Sequence, residues 1–524
     1  MAGKTNSGGQ GGWGITVAVL LALGMAMLFT NRWFNFMDDE IAIIQDATVP
    51  VQQTVHAFVE GNGLHRHPPL YDLILAGWMR ASGARVSLLR VPAIAFYLLG
   101  LWFVIQAADL LGGAAASRAA LWIGAIFPYG FHFGRVAGWY SFSFFTLALV
   151  TWAYLWLEQK PGWGRCALLV VACELAIYAN YFLAVLIGLL ALDYWLKNRG
   201  NGKRLAAGGI AVIVILLGSW PLLHALTFRV AADRAILKPA YSLVATVLFG
   251  GYNVYTLFVS ESVAPWFWYF SVPALAAIGL CMFCLLRYGP APARRLFIGF
   301  SVCIVAMTAL NLINTKRLLF LSPWLLIAVA AMSVDLPRPD LRKSVALALG
   351  VVAVIGWFGI LSRHYYAAPR FIEPWQPVAR RAADEARKGA VVIGNNPSFF
   401  FYLTQALGSS AGAGTSHFVG TDPAFLRQAG LFDTNQWVED GKVFAPTTVL
   451  VKGATDESLW GSTAAAELVL DRACHLESVE RELPDSGYAL KQRWFATAEQ
   501  PAWRIEVRTY RCPGATTTAA GLHN

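Results

Sequence analysis

Phe36-Met-Asp-Asp-Glu-Ile41 and His67-Pro-Pro-Leu-Tyr71 are the two stretches from which the fold of this chain is inferred. The first directly follows an apolar segment at about residues 12–30. Acidic residues contribute little to the orientation of a membrane segment, so three adjacent acids at its end need another explanation. A carboxylate near a membrane surface can take a proton from an incoming hydroxyl group. The stretch therefore favours an enzyme site at the membrane surface.

The composition of the chain is that of a membrane protein. Apolar residues make up 57% of its 524 residues, charged residues make up only 14%, and the mean hydropathy is +0.51. These values lie outside the range of soluble domains, and they predict a polytopic α-helical membrane protein with about 11 transmembrane helices. The predicted spans are 12–30, 88–108, 118–133, 141–158, 166–182, 183–196, 205–226, 266–286, 296–313, 317–334 and 344–361.

The basic residues predict the orientation of these spans. Lysines and arginines concentrate in alternate short loops, which the positive-inside rule assigns to the cytoplasm together with the N-terminus. The regions 32–87 and 227–265, and the chain after 362, are then on the outer side of the membrane. The net charge of +10 reflects this distribution. Because the basic residues form no continuous stripe, nucleic acid is not expected as a partner.

The composition changes after Tyr366, where apolar runs become short and turn residues become frequent. We predict a transmembrane domain at 1–362, a soluble α/β or α+β domain at 363–512 in the periplasm, and a disordered tail at 513–524. Strands are predicted at Ala390–Gly394, Thr448–Lys452 and Trp503–Tyr510, and a helix at Pro377–Lys388. Cys474 and Cys512 are the only cysteines of this domain and can form a disulfide in an oxidising compartment.

The loop after the first span contains most of the candidate residues. Helical spacing of apolar residues predicts interfacial helices within Ile41–Val59 and Leu70–Met79. Among the acids, Asp38, Asp39 and Glu40 form either a solvated turn or a general base with its neighbours. His65, Arg66 and His67 suit an anionic phosphate, or a divalent metal shared with the acids, while Pro68-Pro69 suits the entry to a helix.

Three basic residues interrupt the otherwise uncharged outer short loops. They are Arg135, Lys316 and Arg317. A phosphate-bearing lipid would need cations on this side, whereas the simpler interpretation of Arg135 is an arginine that snorkels to the interface. A second charged group contains Arg229, Asp233, Arg234 and Lys238. Glu174, near the middle of a span, needs a partner or a cavity.

These motifs together resemble the GT-C glycosyltransferases. The acid pair Asp39-Glu40, the His67–Tyr71 stretch and the motif Gly134-Arg135-x-x-Gly138-x-Tyr140 are similar to the protein O-mannosyltransferase and aminoarabinose transferase branch, which is glycosyltransferase family 39-like. The resemblance implies a polyprenyl-phosphate sugar donor and places the base at the Asp before Glu, which is Asp39. Many relatives have a second arginine at Gly138, and often a His where this chain has Asn180.

The resemblance implies an inverting glycosyltransferase that transfers a sugar to a hydroxyl of a lipid, glycan or protein. The expected catalytic residues are Asp39, Glu40 and Asp38; those that bind the donor phosphate are Arg135, Lys316, Arg317 and His67; those that bind substrate are Tyr71, Tyr140 and Arg66. No cofactor is required, although His65 and His67 leave a metal open. The alternatives are a polysaccharide polymerase or ligase and a transporter. The chain shows no paired halves of the kind common in transporters.

Overall fold

The computed structural model describes residues 10–34, 36, 38–60, 67–83, 85–222, 224, 243–310, 315–362, 375–407, 416–418, 446–453, 463–482 and 505–512. Five predicted residues or groups lie outside these ranges: His65, Arg66, the charged group 229–238, Tyr366 and the tail 513–524. The chain forms two compact units. The first contains Met1–Arg32 and Ile43–Tyr365, and the second contains Trp33–Ala42 and Tyr366–Asn524.

The first unit is helical. Its helices, in chain order, are α1 Gln10–Phe29, α2 Asp38–Asp46, α3 Val51–Glu60, α4 Leu70–Ser82, α5 Val91–Ile126, α6 Pro128–Phe133, α7 Trp139–Gln159, α8 Trp163–Ala179, α9 Leu183–Asn198, α10 Gly202–Gly218, α11 Leu243–Val259, α12 Trp268–Tyr288, α13 Ala291–Ala309, α14 Ser322–Asp335 and α15 Pro339–Ser362. Short 3-10 helices cover Thr30–Trp33, Val86–Leu88, Ser260–Ser262 and Thr315–Leu321. The boundary between the two units falls inside α2, between Ala42 and Ile43.

The predicted fold class is confirmed. Among the described helices, six are long and apolar enough to cross a membrane, and Trp13–Phe29 and Thr246–Val259 are shorter apolar helices. Large apolar side chains face outward, with Leu217 71% exposed and Leu347 70% exposed. Such surfaces are unfavourable in water and suit the hydrocarbon of a bilayer, where every backbone polar group must be paired within a helix.

The spans predicted at 88–108 and 118–133 form the two arms of the helical segment α5, and the arms pack against each other, since a Cβ at Gly124 would lie 2.8 Å from Leu101 Cδ2. Gly112 (φ −139°) and Gly113 (φ +65°) have non-helical backbone angles and kink this segment. The helix ends at Ile126, earlier than predicted, because Phe127 is extended ahead of Pro128. Proline disfavours the helical conformation in the residue before it, so Pro128 begins the separate helix α6.

Helix α11 lies inside the region that the sequence analysis assigned to the outer loop 227–265. The segment is apolar, but the helix has 17 residues, fewer than the roughly 20 that a membrane span needs. The Asn253 amide is paired within the helix, since Nδ2 donates to the Phe249 carbonyl at 2.8 Å. Gly250 allows close packing on α13, because a Cβ there would lie 2.6 Å from Thr308 Cγ2.

The second unit contains a five-stranded sheet. The strands are β1 Val391–Gly394, β2 Ser416–Phe418, β3 Thr447–Gly453, β4 His475–Glu482 and β5 Ile505–Arg511, in the order β2-β1-β3-β5-β4. Strand β1 is parallel to β2 and β3, whereas β5 is antiparallel to β3 and β4. Helices α16 Trp375–Arg387, α17 Pro397–Leu407 and α18 Ala464–Ala473 complete it. The strands and the helix predicted here are thus present.

The core of the second unit packs α18 against the sheet. Ile393, Leu450, Leu470 and Tyr510 are fully buried there. Cys474 at the end of α18 and Cys512 at the end of β5 form the disulfide that the sequence made available. The bond joins the helix to the sheet beside this core, and on the chain-entropy estimate a loop of this length stabilises the fold by about 4 kcal/mol.

Candidate active site

The acidic stretch belongs to the second unit and forms the start of a helix. Because α2 begins at Asp38, the three acids occupy its first turn, where negative charge is favoured by the helix dipole. Glu40 is fully buried. The side chains of Asp38 and Asp39 lie outside the described part of the structure. Both alternatives considered from the sequence, a solvated turn and a general base with its neighbours, are compatible with a position in the first turn of α2.

The segment just before these acids is held by helix α17. The Phe36 backbone N–H donates to the Tyr402 hydroxyl at 2.6 Å, and that hydroxyl donates to the Phe36 carbonyl at 3.2 Å. The Phe36 ring also packs edge-on against Phe401 at 5.5 Å. Sequence reasoning missed Tyr402. The aromatic run Phe399-Phe-Phe-Tyr402 could have indicated a contact site, and two of its residues, Phe401 and Tyr402, contact Phe36.

In the first unit, the proline stretch meets the Arg135 motif. The half-buried His67 ring lies 4.3 Å from the ring of Trp139 and 6.0 Å from that of Tyr181. Tyr140 is buried beside Trp139, with 4.2 Å between ring centroids. Helix α4 begins directly after Pro69, as predicted, and buries Tyr71 completely. The residues of these two motifs therefore share one aromatic cluster.

Arg135 is buried and does not snorkel, since only 1% of it is exposed. Its Nε donates to the Phe131 carbonyl at 3.0 Å, and its guanidinium lies 4.3 Å from the Phe131 ring centre. Nη1 donates to Thr30 Oγ1 at 2.8 Å and to the Met27 carbonyl at 3.3 Å. The last carbonyls of α1 lack helical partners, so Arg135 stabilises the end of the first span. Its role in phosphate binding stays a prediction.

A buried polar network not foreseen from the sequence lies at the end of α11. Glu261 Oε1 accepts hydrogen bonds from Thr315 Oγ1 at 2.9 Å and from the Tyr252 hydroxyl at 3.3 Å. The Tyr129 hydroxyl donates to the Thr315 carbonyl. Ser260 adopts φ +62°, rare for a residue other than glycine, and its Oγ lies 2.8 Å from His132 Nδ1. Unusual backbone angles of this kind concentrate at functional sites.

Four basic residues of the first unit are grouped with this network, and we call them the cationic cluster: Arg90, Arg135, Lys316 and Arg317. Lys316 and Arg317 directly follow Thr315 of the network in the sequence. Arg90, Arg135 and Lys316 all act electrostatically on the buried His132, as does Glu261. Arg90 is 2% exposed, and its Nη1 lies 3.4 Å from both oxygens of Asn31.

Arg317 joins the cluster to the aromatic residues around His67. Its guanidinium lies 5.8 Å from the Phe182 ring. Phe182 stacks on Phe320 at 6.4 Å, and Phe320 in turn lies 6.3 Å from Trp139. Arginine and lysine side chains of this kind are the residues that bind phosphate groups in proteins.

The two departures from the family pattern have structural explanations. A Cβ at Gly138 would lie 3.1 Å from Ile43 Cδ1 and 3.1 Å from the Tyr140 ring, so an arginine there would force its neighbours to move. Asn180 is fully buried, and its Oδ1 accepts from the Phe182 backbone N–H at 3.0 Å. It thereby orients the turn that presents Tyr181 and Phe182 to the cluster.

Glu174 and the histidine pair His65 and His67 are the remaining candidate residues from the sequence. Glu174 has a structural partner, since Ser219 Oγ donates to its Oε2 at 3.0 Å, and Gly218 leaves room for the carboxylate. Within the described ranges, no group of three or more His, Cys, Asp or Glu residues is arranged to hold a metal ion. His67 lies within the described ranges and His65 does not, so a metal site formed by both histidines stays a prediction.

Comparison with known proteins gives a structural match only. No protein-family model and no curated protein matches the sequence. The structure of ArnT from Cupriavidus metallidurans bound to undecaprenyl phosphate aligns with 98% of this chain and 100% of its own, at TM-score 0.56 and 14% identity. The apo structure of ArnT from the same organism aligns with 96% of this chain at TM-score 0.45 and 14% identity. At this identity the first match shows the fold of the chain, which is that of ArnT.

Proposed function

We propose that this protein is an inverting glycosyltransferase that uses a polyprenyl-phosphate sugar as donor. The observation that carries the proposal is the cationic cluster of the first unit: Arg90, Arg135 and Lys316 act electrostatically on the buried His132, and Arg317 lies 5.8 Å from the Phe182 ring. The fold adds support, because a protein with this fold has been crystallised with undecaprenyl phosphate. The acceptor is a hydroxyl of a lipid, a cell-surface glycan or a protein.

The cationic cluster is proposed to bind the donor phosphate and to stabilise it as the leaving group. A phosphate that leaves from an anomeric carbon gains negative charge in the transition state, and fixed cations lower the energy of that charge. Lys316 and Arg317 are the most accessible members of the cluster, being only half-buried. Arg135 and Arg90 are buried and hold the surrounding backbone, so their contribution is to position the cluster.

The proposed base is Asp39, with Glu40 as the neighbour that orients it. The acceptor hydroxyl gives its proton to the Asp39 carboxylate, and its oxygen forms a bond to the anomeric carbon. The bond between that carbon and the phosphate oxygen breaks, which inverts the configuration and releases polyprenyl phosphate. Asp38 is the alternative base, since both residues stand in the first turn of α2.

The reaction is assigned to the periplasmic side of the bacterial inner membrane. The distribution of lysine and arginine among the short loops supports this orientation. The Cys474–Cys512 disulfide also supports it, because disulfides persist in the periplasm and are rare in the cytoplasm.

The test is the substitution Asp39→Asn, measured as transfer of labelled sugar by the purified full-length protein. The amide keeps the shape of the side chain but cannot take a proton, so turnover should fall by about a hundredfold or more. Donor binding should not change. Asp38→Asn is the matched control in the same turn and should keep most of its activity. If Asp38→Asn is the inactive variant and Asp39→Asn is not, the base is Asp38.

A further inference from the structure

The first unit contains a large cavity that the proposed reaction does not use. It has a volume of about 760 Å³ and lies among helices α7, α8, α9 and α10. This volume is within the range of small-molecule sites, roughly 300–1,000 Å³. Its lining is almost entirely apolar and includes Leu157, Cys166, Leu190 and Ala211. The loops at this end carry lysines and arginines, whereas the cationic cluster lies beyond the opposite ends of α8 and α9.

A small polar compartment adjoins the apolar cavity. It has a volume of about 150 Å³ and is lined by Glu158, Lys197 and Asn198 among others. Tyr194 and Arg204 line both spaces and therefore mark the place where they meet. A polar space joined to a long apolar one matches an amphiphile, with its headgroup in the first and its hydrocarbon chain in the second.

The charges beside the polar compartment favour an anionic headgroup. The carboxylates there are already paired, since Lys197 Nζ lies 2.6 Å from both Glu158 and Asp193, and Arg295 lies 3.0 Å from Asp193. Arg204 donates from Nη1 to Asn198 Oδ1 at 3.1 Å. Over the ranges that the structure describes, neither Arg204 nor Lys203 has a carboxylate within ion-pair distance. Both line the cavity, so two positive charges are available to a phosphate.

Lipid can reach the cavity from the bilayer along α10. This helix buries none of its residues fully, and Ile213, Leu216 and Leu217 are each more than half exposed. Basic pockets between membrane helices on the cytoplasmic side are known to bind anionic lipid headgroups. We propose that this cavity binds one anionic phospholipid of the phosphatidylglycerol type, with its phosphodiester at Lys203 and Arg204 and an acyl chain among α7 to α10. The proposal is independent of the glycosyltransferase activity.

Native mass spectrometry of the full-length protein in detergent tests this site, with phosphatidylglycerol, phosphatidylethanolamine and undecaprenyl phosphate added in turn. The double variant Lys203→Gln/Arg204→Gln should retain at least tenfold less phosphatidylglycerol than the unchanged protein. Arg338→Gln/Lys343→Gln removes the same charge from exposed residues at the same end of the helices, away from the cavity, and should retain the lipid normally.

A second variant occupies the apolar space and leaves the charges intact. Gly209 lines the cavity and has open space at its Cβ position, so Gly209→Phe should displace the acyl chain and lower lipid retention to the same degree. Gly350→Phe is its control, on α15 outside the cavity and with similar open space. Unchanged retention in the charge variant would overturn the proposal. So would equal retention of phosphatidylethanolamine, retention of no phosphatidylglycerol, or a loss of undecaprenyl phosphate in place of phosphatidylglycerol from the charge variant.

Discussion

Tyr402→Phe is the substitution that best tests whether the second unit holds the acidic stretch in place for catalysis. The change removes only a hydroxyl group, which donates to the Phe36 carbonyl and accepts from the Phe36 N–H. Phe36 is 7% exposed. A buried backbone donor that loses its partner costs about 1–3 kcal/mol. Since about 1.4 kcal/mol corresponds to a factor of ten in a rate, kcat should fall roughly 5- to 150-fold.

The assay is sugar transfer by the purified full-length protein under saturating donor, with donor affinity measured separately. Residue 36 precedes the acids and is far in sequence from the cationic cluster, so kcat should fall while donor affinity stays unchanged. Tyr510→Phe is the matched control: it removes the buried hydroxyl that donates to Asp471 at 2.8 Å in the same unit. If both variants lose kcat equally, the effect is general destabilisation and the positioning role of Tyr402 is refuted.

The remaining predictions concern the phosphate site and the second unit. Replacing Lys316 or Arg317 by Gln should weaken donor binding by about 1.5–3 kcal/mol each, the contribution of a hydrogen bond to a charged group; calorimetry with the donor that finds unchanged affinity would exclude that residue. Cys474→Ser should destabilise the second unit by about 4 kcal/mol. In intact cells that express the unchanged protein, a membrane-impermeant maleimide should label Cys474 only after the disulfide has been reduced. Burial raises the pKa of Glu506, but hydrogen bonds from Arg508 and Arg481 outweigh it and hold that pKa below its ordinary value. The ionised Glu506 carboxylate should therefore stabilise the second unit above about pH 4.3, and this stabilisation should be lost as the pH falls below that value. Hydrogen exchange of β5 should accordingly be slower in the unchanged full-length protein than in Glu506→Gln at neutral pH, and the difference should disappear at low pH.

The sequence predicted the fold class because membrane insertion is governed by local composition. A span needs about 20 apolar residues in succession, and this requirement is visible in any window of the chain. The start of α4 after Pro69 was likewise predictable, because the fixed φ angle and missing N–H of proline restrict only the adjacent backbone. The separate spans predicted at 88–108 and 118–133 are also present, as the two arms of α5 that meet at Gly112 and Gly113.

The buried network at Glu261 could not be predicted, because it depends on contacts between residues that are distant in the sequence. Its partners Tyr252 and Thr315 are separated in sequence by more than 60 residues, and Thr315 is recognised only once α11 has been packed. Neither Tyr252 nor Glu261 belongs to a motif that the sequence analysis identified. Only Ser260, through its backbone angle, marks this position as special, and that angle has no signature in the sequence.

The hydrogen bonds between Phe36 and Tyr402 join residues 366 positions apart, and this separation has a consequence for biosynthesis. At a synthesis rate of about 5–20 residues per second, the first span and its acids leave the ribosome roughly 20–70 s before the tyrosine that anchors them. Throughout that interval the nascent chain is inserted but lacks the anchor next to its acids. A chain that terminates before residue 402 never gains this anchor. If Tyr402 positions the acids as predicted above, completion of the polypeptide is a condition for activity.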